Sequence, residues 1–199
     1  MMLIEKTTLP DAAMPVEDFK THLRLGTGFG TDGLQDSVLA GFLRAAMAAV
    51  EARTGKVLLQ RDFDWTLTFW RDGDAQVLPV APVSVVSRVA LVARDGSETD
   101  IPDQSYRLER DGQRPRLRAT GAGLPTIPFG GSVQIEFSAG YAAEWSALPA
   151  DLRQAVLLLA AHYYEYRNET AFVDGHMPFG VASLIERYRA LRIGAGAAR

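Results

Sequence analysis

At 199 residues, with 47% hydrophobic and 23% charged side chains, the chain is apolar enough to bury a full core, which excludes global disorder. Its formal charge of −3 at pH 7 excludes a free-standing, non-specific nucleic-acid binder, although a local basic patch stays possible. The absence of cysteine excludes a disulfide framework, thiolate chemistry and zinc–thiolate sites.

The opening MMLIEKTTLPDAAMP has too short an apolar run, broken by early charges, for a signal peptide, so a cytoplasmic protein is expected. PVEDFKTHLRL then predicts a short helix over residues 15–25, opened by Pro15, with Glu17 and Asp18 in its first turn and Phe19, Leu23 and Leu25 facing inward. GTGFGTDG, residues 26–33, breaks it. Asp32 or Asp36 is placed to cap a second helix that runs to about Thr54 and stops at Gly55. Its apolar stripe is Leu34, Val38, Leu39, Phe42, Leu43, Ala46, Ala49 and Val50.

Near Leu58 the period changes from helical to alternating. Phe63, Trp65, Leu67 and Phe69 alternate with Asp62, Asp64, Thr66 and Thr68, which predicts a strand with one buried face. Turn signals at Arg71–Asp74, Arg94–Ser97 and Asp111-Gly112 separate QVLPV, PVSVVSRVALVA, ETDIP, SYRLER and RPRLRAT, and SVQIEFSAGY closes the region. Five to seven strands in about eighty residues, with no βαβ unit, predict an antiparallel sheet or small sandwich.

LPADLRQAVLLLAAHYYEYRNET, residues 148–170, predicts the strongest helix. Pro149 and Asp151 suit its start, and Leu152, Val156, Leu159 and Tyr163 recur at helical spacing. Arg153, Glu165, Arg167 and Glu169 rule it out as a membrane span. After a break, Pro178 starts a last helix through FGVASLIERYRALRI. Val181, Leu184, Ile185, Tyr188 and Leu191 form its apolar side, and Arg187, Arg189 and Arg192 its basic flank. The fold class is therefore α+β: a small bundle of about four helices, with an antiparallel β lobe inserted between the second and third. Residues 1–57 and 142–199 would form the bundle, and residues 58–141 the lobe.

The chemistry in this pattern is sparse. Gly28-Phe29-Gly30-Thr31-Asp32-Gly33 matches GxGxxG, but a helix precedes it where a dinucleotide site needs a strand, so it reads as an interhelical loop. His22, His162 and His176 do not pair at metal-ligand spacing. His162 and Glu165 share a face without the second Glu-xx-His of a di-iron bundle, and no GxSxG surrounds a serine. No catalytic residue, cofactor or metal is assigned. The surplus lies in aromatic and arginine side chains, the types that anchor interfaces. Tyr163 reads as core. Tyr164, Tyr166 and Arg167, and further on Arg187, Tyr188, Arg189 and Arg192, read either as partner-interface residues or as solvated helix flanks.

The pattern as a whole resembles the phage head-to-tail connector (adaptor) family, including its gene transfer agent counterparts. DFKTHLRL resembles the family's opening helix. LAGFLRAAMAAVEARTGKVLLQRDF resembles its long helix, with an ending carried by Ala46, Val50, Glu51, Thr54, Gly55 and Lys56. LPVAPVSVVSRVAL resembles the opening of its β lobe, FSAGY with LPADLRQAVLLLAAHYYEYRNE its third helix, and PFGVASLIERYR its closing segment. The glycine-rich GTGFGTDG departs from the acidic segment more usual at that point.

The resemblance implies a structural protein without catalysis, part of a virion or virus-like particle at the head–tail junction, assembled in the bacterial cytoplasm. It implies a ring of about twelve copies on the portal protein, followed by a tail-side stopper or tail-terminator protein. DNA would pass through the channel without sequence-specific binding, and no membrane is involved. It also implies portal contact through the last helix and tail, which adds Phe179 and Leu191 to the interface candidates. The rival readings are a stopper or tail-completion protein of the same particle, and a small ligand-binding or hydrolytic protein with a pocket where bundle and lobe meet.

Overall fold

The computed structural model describes residues 1–25, 35–167 and 177–189. Within them the chain is mixed α+β, with four α-helices and two antiparallel sheets. Helix α1 (Val16–His22) follows Pro15 and buries Phe19 completely. Helix α2 (Asp36–Thr54) buries Leu39, Leu43, Ala46, Met47 and Val50, and ends as expected at Gly55. There the backbone turns left-handed (φ 68°), and the Gly55 N–H donates to the Glu51 carbonyl.

The start of α2 differs from expectation. Asp36 is already helical, the capping position falls on Gln35 without a side-chain cap, and the Asp36 carboxylate pairs instead with Lys20 Nζ at 2.7 Å. Asp32, Leu34 and the GxGxxG stretch lie outside the described residues. Val38, expected in the buried stripe, is 54% exposed.

Helix α3 (Ala150–Glu165) begins after Pro149, which sits at the capping position rather than inside the first turn, and ends short of residue 170. Helix α4 (Phe179–Ile185) starts after Pro178 as expected, but gives way to one 3-10 turn at Glu186–Tyr188, and Arg189 is extended. The expected helix through residue 193 therefore stops at Ile185. An α-turn followed by a tighter turn keeps Val181, Ile185 and Tyr188 on the buried side, so the apolar spacing fits either geometry. Helices from both ends of the chain share one core, in which Phe19, Leu43, Leu152, Val156 and Ile185 are fully enclosed.

The strands are β1 (Met2–Glu5), β2 (Arg61–Leu67), β3 (Ala75–Val77), β4 (Val83–Val92), β5 (Glu98–Asp100), β6 (Tyr106–Glu109), β7 (Arg116–Ala119) and β8 (Ser132–Ala139). Strands β2 to β8 lie between α2 and α3 in sequence. One sheet has the order β1-β2-β8-β4-β5 and the other β3-β7-β6. Phe63, Trp65 and Leu67 of β2 are buried as the alternation predicts, and Phe63 stacks on Phe137 with centroids 5.5 Å apart. The strand ends at Leu67, however, so Phe69 falls in a bend and is 67% exposed.

Leu117 and Tyr106 from the smaller sheet and Leu78, just past β3, join Trp65, Val133 and Ile135 from the larger in a second core. The two sheets thus pack inner face to inner face, and their outer faces look away from one another.

Where the cores meet, the Glu51 carboxylate accepts the Leu58 backbone N–H at 2.8 Å and Arg61 Nη2 at 2.6 Å. Lys56 is buried, and its Nζ donates to Gln113 Oε1 at 2.7 Å. Gly140 lets two backbones touch: a Cβ there would lie 2.4 Å from Gln60 Cα.

Candidate assembly interface

The residues singled out by sequence fall into two groups. Tyr164, Tyr166 and Arg167 occupy the C-terminal end of α3. Tyr164 is half-buried, edge-on to Phe42 at 5.8 Å, and Arg167 lies over its ring at 4.6 Å while Nη1 donates to the Tyr164 carbonyl. Tyr166 is 40% exposed, with its ring 4.7 Å from that of His162. Tyr163 is half-buried, and burial raises its phenol pKa.

Phe179, Arg187, Tyr188 and Arg189 occupy α4 and the turn after it. Phe179 is 88% exposed because it is the first residue of α4, whose inward face is carried by Val181 and Ile185. Tyr188 is instead anchored inside the subunit. Its ring meets Tyr141 edge-on at 5.6 Å, and its hydroxyl donates to the Asp151 carboxylate at 2.8 Å. Arg187 completes the cluster: Nη2 reaches Asp151 at 2.8 Å and donates to the Tyr188 hydroxyl at 2.5 Å. Burial raises the Tyr188 pKa, and the Asp151 charge pushes the same way while Arg187 opposes it. Arg189 pairs with Glu186 at 2.9 Å on the surface. Leu191 and Arg192 lie outside the described residues.

The Asp151–Arg187–Tyr188 cluster ties the end of α4 to the first turn of α3. Phe179 is the candidate whose ring is largely exposed, and Tyr166 keeps about two-fifths of its surface open beside His162.

An open groove of about 340 Å³ runs between α1, α3 and α4, lined by His22, Leu158, His162, Glu165, Pro178 and Val181. It lies within the bundle, whereas a smaller cavity of about 170 Å³ lies where bundle and lobe meet, lined by Glu5, Arg44, Met47, Glu51 and Arg61. Among the described residues no group of three or more histidine and carboxylate side chains is placed to hold a metal, and no helix is long and apolar enough to cross a membrane.

Two features escaped the sequence reading. Phe129, in the turn between β7 and β8, is 97% exposed. The two outer sheet faces also carry opposite charge, a pattern visible in sequence only once strand parity is known. Arg107 and Glu109, like Arg116 and Arg118, stand at alternate positions around the inward-facing Leu108 and Leu117.

Two packed cores and exposed aromatic side chains on the helical bundle suit a structural subunit that assembles with others. No protein-family model matches the chain, and no curated protein does. Solved structures do match. A chain from the neck of an empty GTA particle, computed with C6 symmetry, shares 54% identity over 98% of this chain and 99% of its own, with a TM-score of 0.90. A chain from the virion of a native gene transfer agent (GTA) particle shares 53% identity with a TM-score of 0.87. One from the neck of a native GTA particle, computed with C12 symmetry, shares 49% with a TM-score of 0.85. Both cover 98% of this chain and 99% of their own. The chain belongs to the gene transfer agent head–tail connector family. It is a structural protein of the head–tail junction and not an enzyme.

Proposed function

We propose that this chain is the adaptor of its particle: copies form a ring on the portal protein and connect the DNA-filled capsid to the tail. The observation that carries the reading is the similarity, over nearly the whole chain, to neck proteins from particles computed with sixfold and twelvefold symmetry. A closed ring of that kind uses two different faces of each subunit. Residues 1–57 and 142–199 act as the helical base, apart from β1, which joins the larger sheet, with α4 and the residues after it against the portal. The lobe at 58–141 meets neighbouring copies or the tail-side stopper or terminator protein. Phe179 and Tyr166 supply exposed aromatic area for such contacts, in keeping with the chemistry of interface anchors.

The test is mass photometry of the purified chain, alone and mixed with the portal protein of the same particle. A complex heavier than the portal by about twelve subunits is the expected result. A chain that ignores the portal, and joins only after another neck protein has bound, is a stopper instead.

A further inference from the structure

The two outer faces of the β lobe form a matched pair. On the larger sheet, register places Asp62 and Asp64 of β2, Glu136 of β8, and Glu98 and Asp100 of β5 on the outer side. Among the described residues, two cations share that side, Lys6 on Glu136 at 2.7 Å and Arg88 between Glu98 and Asp100. Exposed apolar side chains stand among these carboxylates: Met2 and Ile4 of β1 and Val85 of β4.

On the smaller sheet, among the described residues, the outer side carries Arg107 of β6 and Arg116 and Arg118 of β7, against Glu109 on the same ladder, with Asp72 and Asp74 of the preceding turn near enough to act on Arg118. Arg118 bonds Glu109 at 2.8 Å, whereas Arg107 and Arg116 form no ion pair among the described residues. The Arg118 hydrogen bond and the charges of all three arginines hold the Glu109 carboxyl below its usual range. Arg107 and Arg118 stand directly opposite one another across the ladder, an arrangement that works against the sheet.

We infer that the arginine face of the smaller sheet docks on the acidic face of the larger sheet in the next copy around the ring. Three features select a second copy as the occupant. The charges are complementary, the faces lie on opposite sides of one sandwich, and a heterologous contact that closes by rotation needs two such faces on every subunit. The inference rests on the ring reading and assigns the surface that makes the ring.

The test uses the portal-bound ring with two double variants. Arg107→Glu with Arg116→Glu makes both faces acidic. Asp62→Lys with Asp100→Lys weakens or reverses the other face while leaving Arg88 its Glu98 partner. Each variant alone is expected to lower the ring-mass species by about tenfold or more, because like charges then meet at every contact. An equal mixture of the two is expected to restore it, since copies alternating around an even-numbered ring put opposite charges at each contact.

If either variant builds the ring alone, or if both are folded by circular dichroism and their mixture builds none, this interface is wrong while the adaptor reading stands. A wild-type chain that forms no ring overturns both. A ring that persists with the arginine variant, but loses retention on double-stranded DNA, assigns the arginines to nucleic acid and overturns the inference. Should charge reversal unfold the chain, Arg107→Gln with Arg116→Gln gives the same answer. The ring is then expected to fall apart at lower salt than the wild type, and an unchanged salt midpoint rejects the contact.

Discussion

Arg61 Nη2 lies 2.6 Å from both carboxylate oxygens of Glu51, joining the last turn of α2 to the first residue of β2. Both side chains are largely withdrawn from solvent, at 11% and 17% exposure, and Arg61 holds Glu5 of β1 at 2.9 Å as well. One guanidinium therefore ties helix, sheet and N-terminal strand together. Removing one partner of a largely buried ion pair leaves a charge without compensation, so Glu51→Ala is expected to cost about 3 kcal/mol in urea unfolding. A loss below about 1 kcal/mol would show that the pair behaves like an exposed one.

Two glycines make a graded comparison. Gly55 has a left-handed φ but open space around it, so Gly55→Ala carries only the backbone penalty, about 1–2 kcal/mol. Gly140 has a φ of 148° and no room, because the new methyl would press on the Leu59–Gln60 backbone. Gly140→Ala is expected to be clearly the worse of the two, and to lower the cooperativity of unfolding by loosening β8 from the segment that leads into β2. Equal losses by thermal denaturation would contradict the close approach.

Much of this arrangement was legible in sequence where one local signal dominated. The stripe of α2 ending at Gly55, the start of α3 at Pro149 and the alternation through Phe63, Trp65 and Leu67 each repeat over enough residues to outweigh their neighbours. What was hidden depends on pairing. Strand β1 is four exposed residues whose conformation comes from hydrogen bonds to β2, and nothing in MLIE alone predicts it. The division into two sheets is carried by β3, β6 and β7, each three or four residues long. Among the interface candidates, Tyr188 was read both on the apolar side of the last helix and as a contact residue. Its partner Asp151, 37 positions away, makes it an internal anchor.

That distinction predicts opposite phenotypes. Tyr188→Phe removes a hydroxyl bonded to a carboxylate and is expected to lower stability by about 1.5 kcal/mol. Phe179→Ala removes a ring that touches solvent and is expected to change stability by less than about 0.5 kcal/mol while weakening portal association. Urea unfolding and portal pull-down on the same two proteins separate the roles. A destabilised Phe179→Ala protein, or one that binds the portal normally, would count against the surface assigned to α4.

Alkaline pH acts on the tyrosines. Burial raises the pKa of Tyr106, Tyr141, Tyr163 and Tyr188 above the ordinary value of 10.0, with the Asp103 hydrogen bond adding to the effect at Tyr106. Above pH 10.0 the folded state retains phenol protons that the unfolded chain releases. The stabilisation is therefore complete below that pH and is lost as pH rises through the folded values. Absorbance at 295 nm should show tyrosine ionisation delayed until unfolding begins. Full ionisation in a chain that still has its native circular dichroism would contradict the burial.

Lys56 carries the opposite sign. Burial lowers its pKa from 10.5, only partly countered by Asp111, so between the folded and ordinary values the unfolded chain binds more protons than the folded one. The cost of holding the ammonium inside is thus complete at neutral pH and relieved as pH approaches 10.5. Lys56→Met fills the same space without a charge, and Gln113, the hydrogen-bond partner it gives up, is exposed and returns to water. The substitution is expected to stabilise the chain at neutral pH by about 1 kcal/mol. That gain should shrink as the unfolding midpoint is followed towards pH 10.5, the ordinary lysine value. A difference that stays constant with pH would mean that Lys56 is charged and well solvated. The lysine would then hold lobe to bundle through Gln113, and its loss should loosen that junction at every pH.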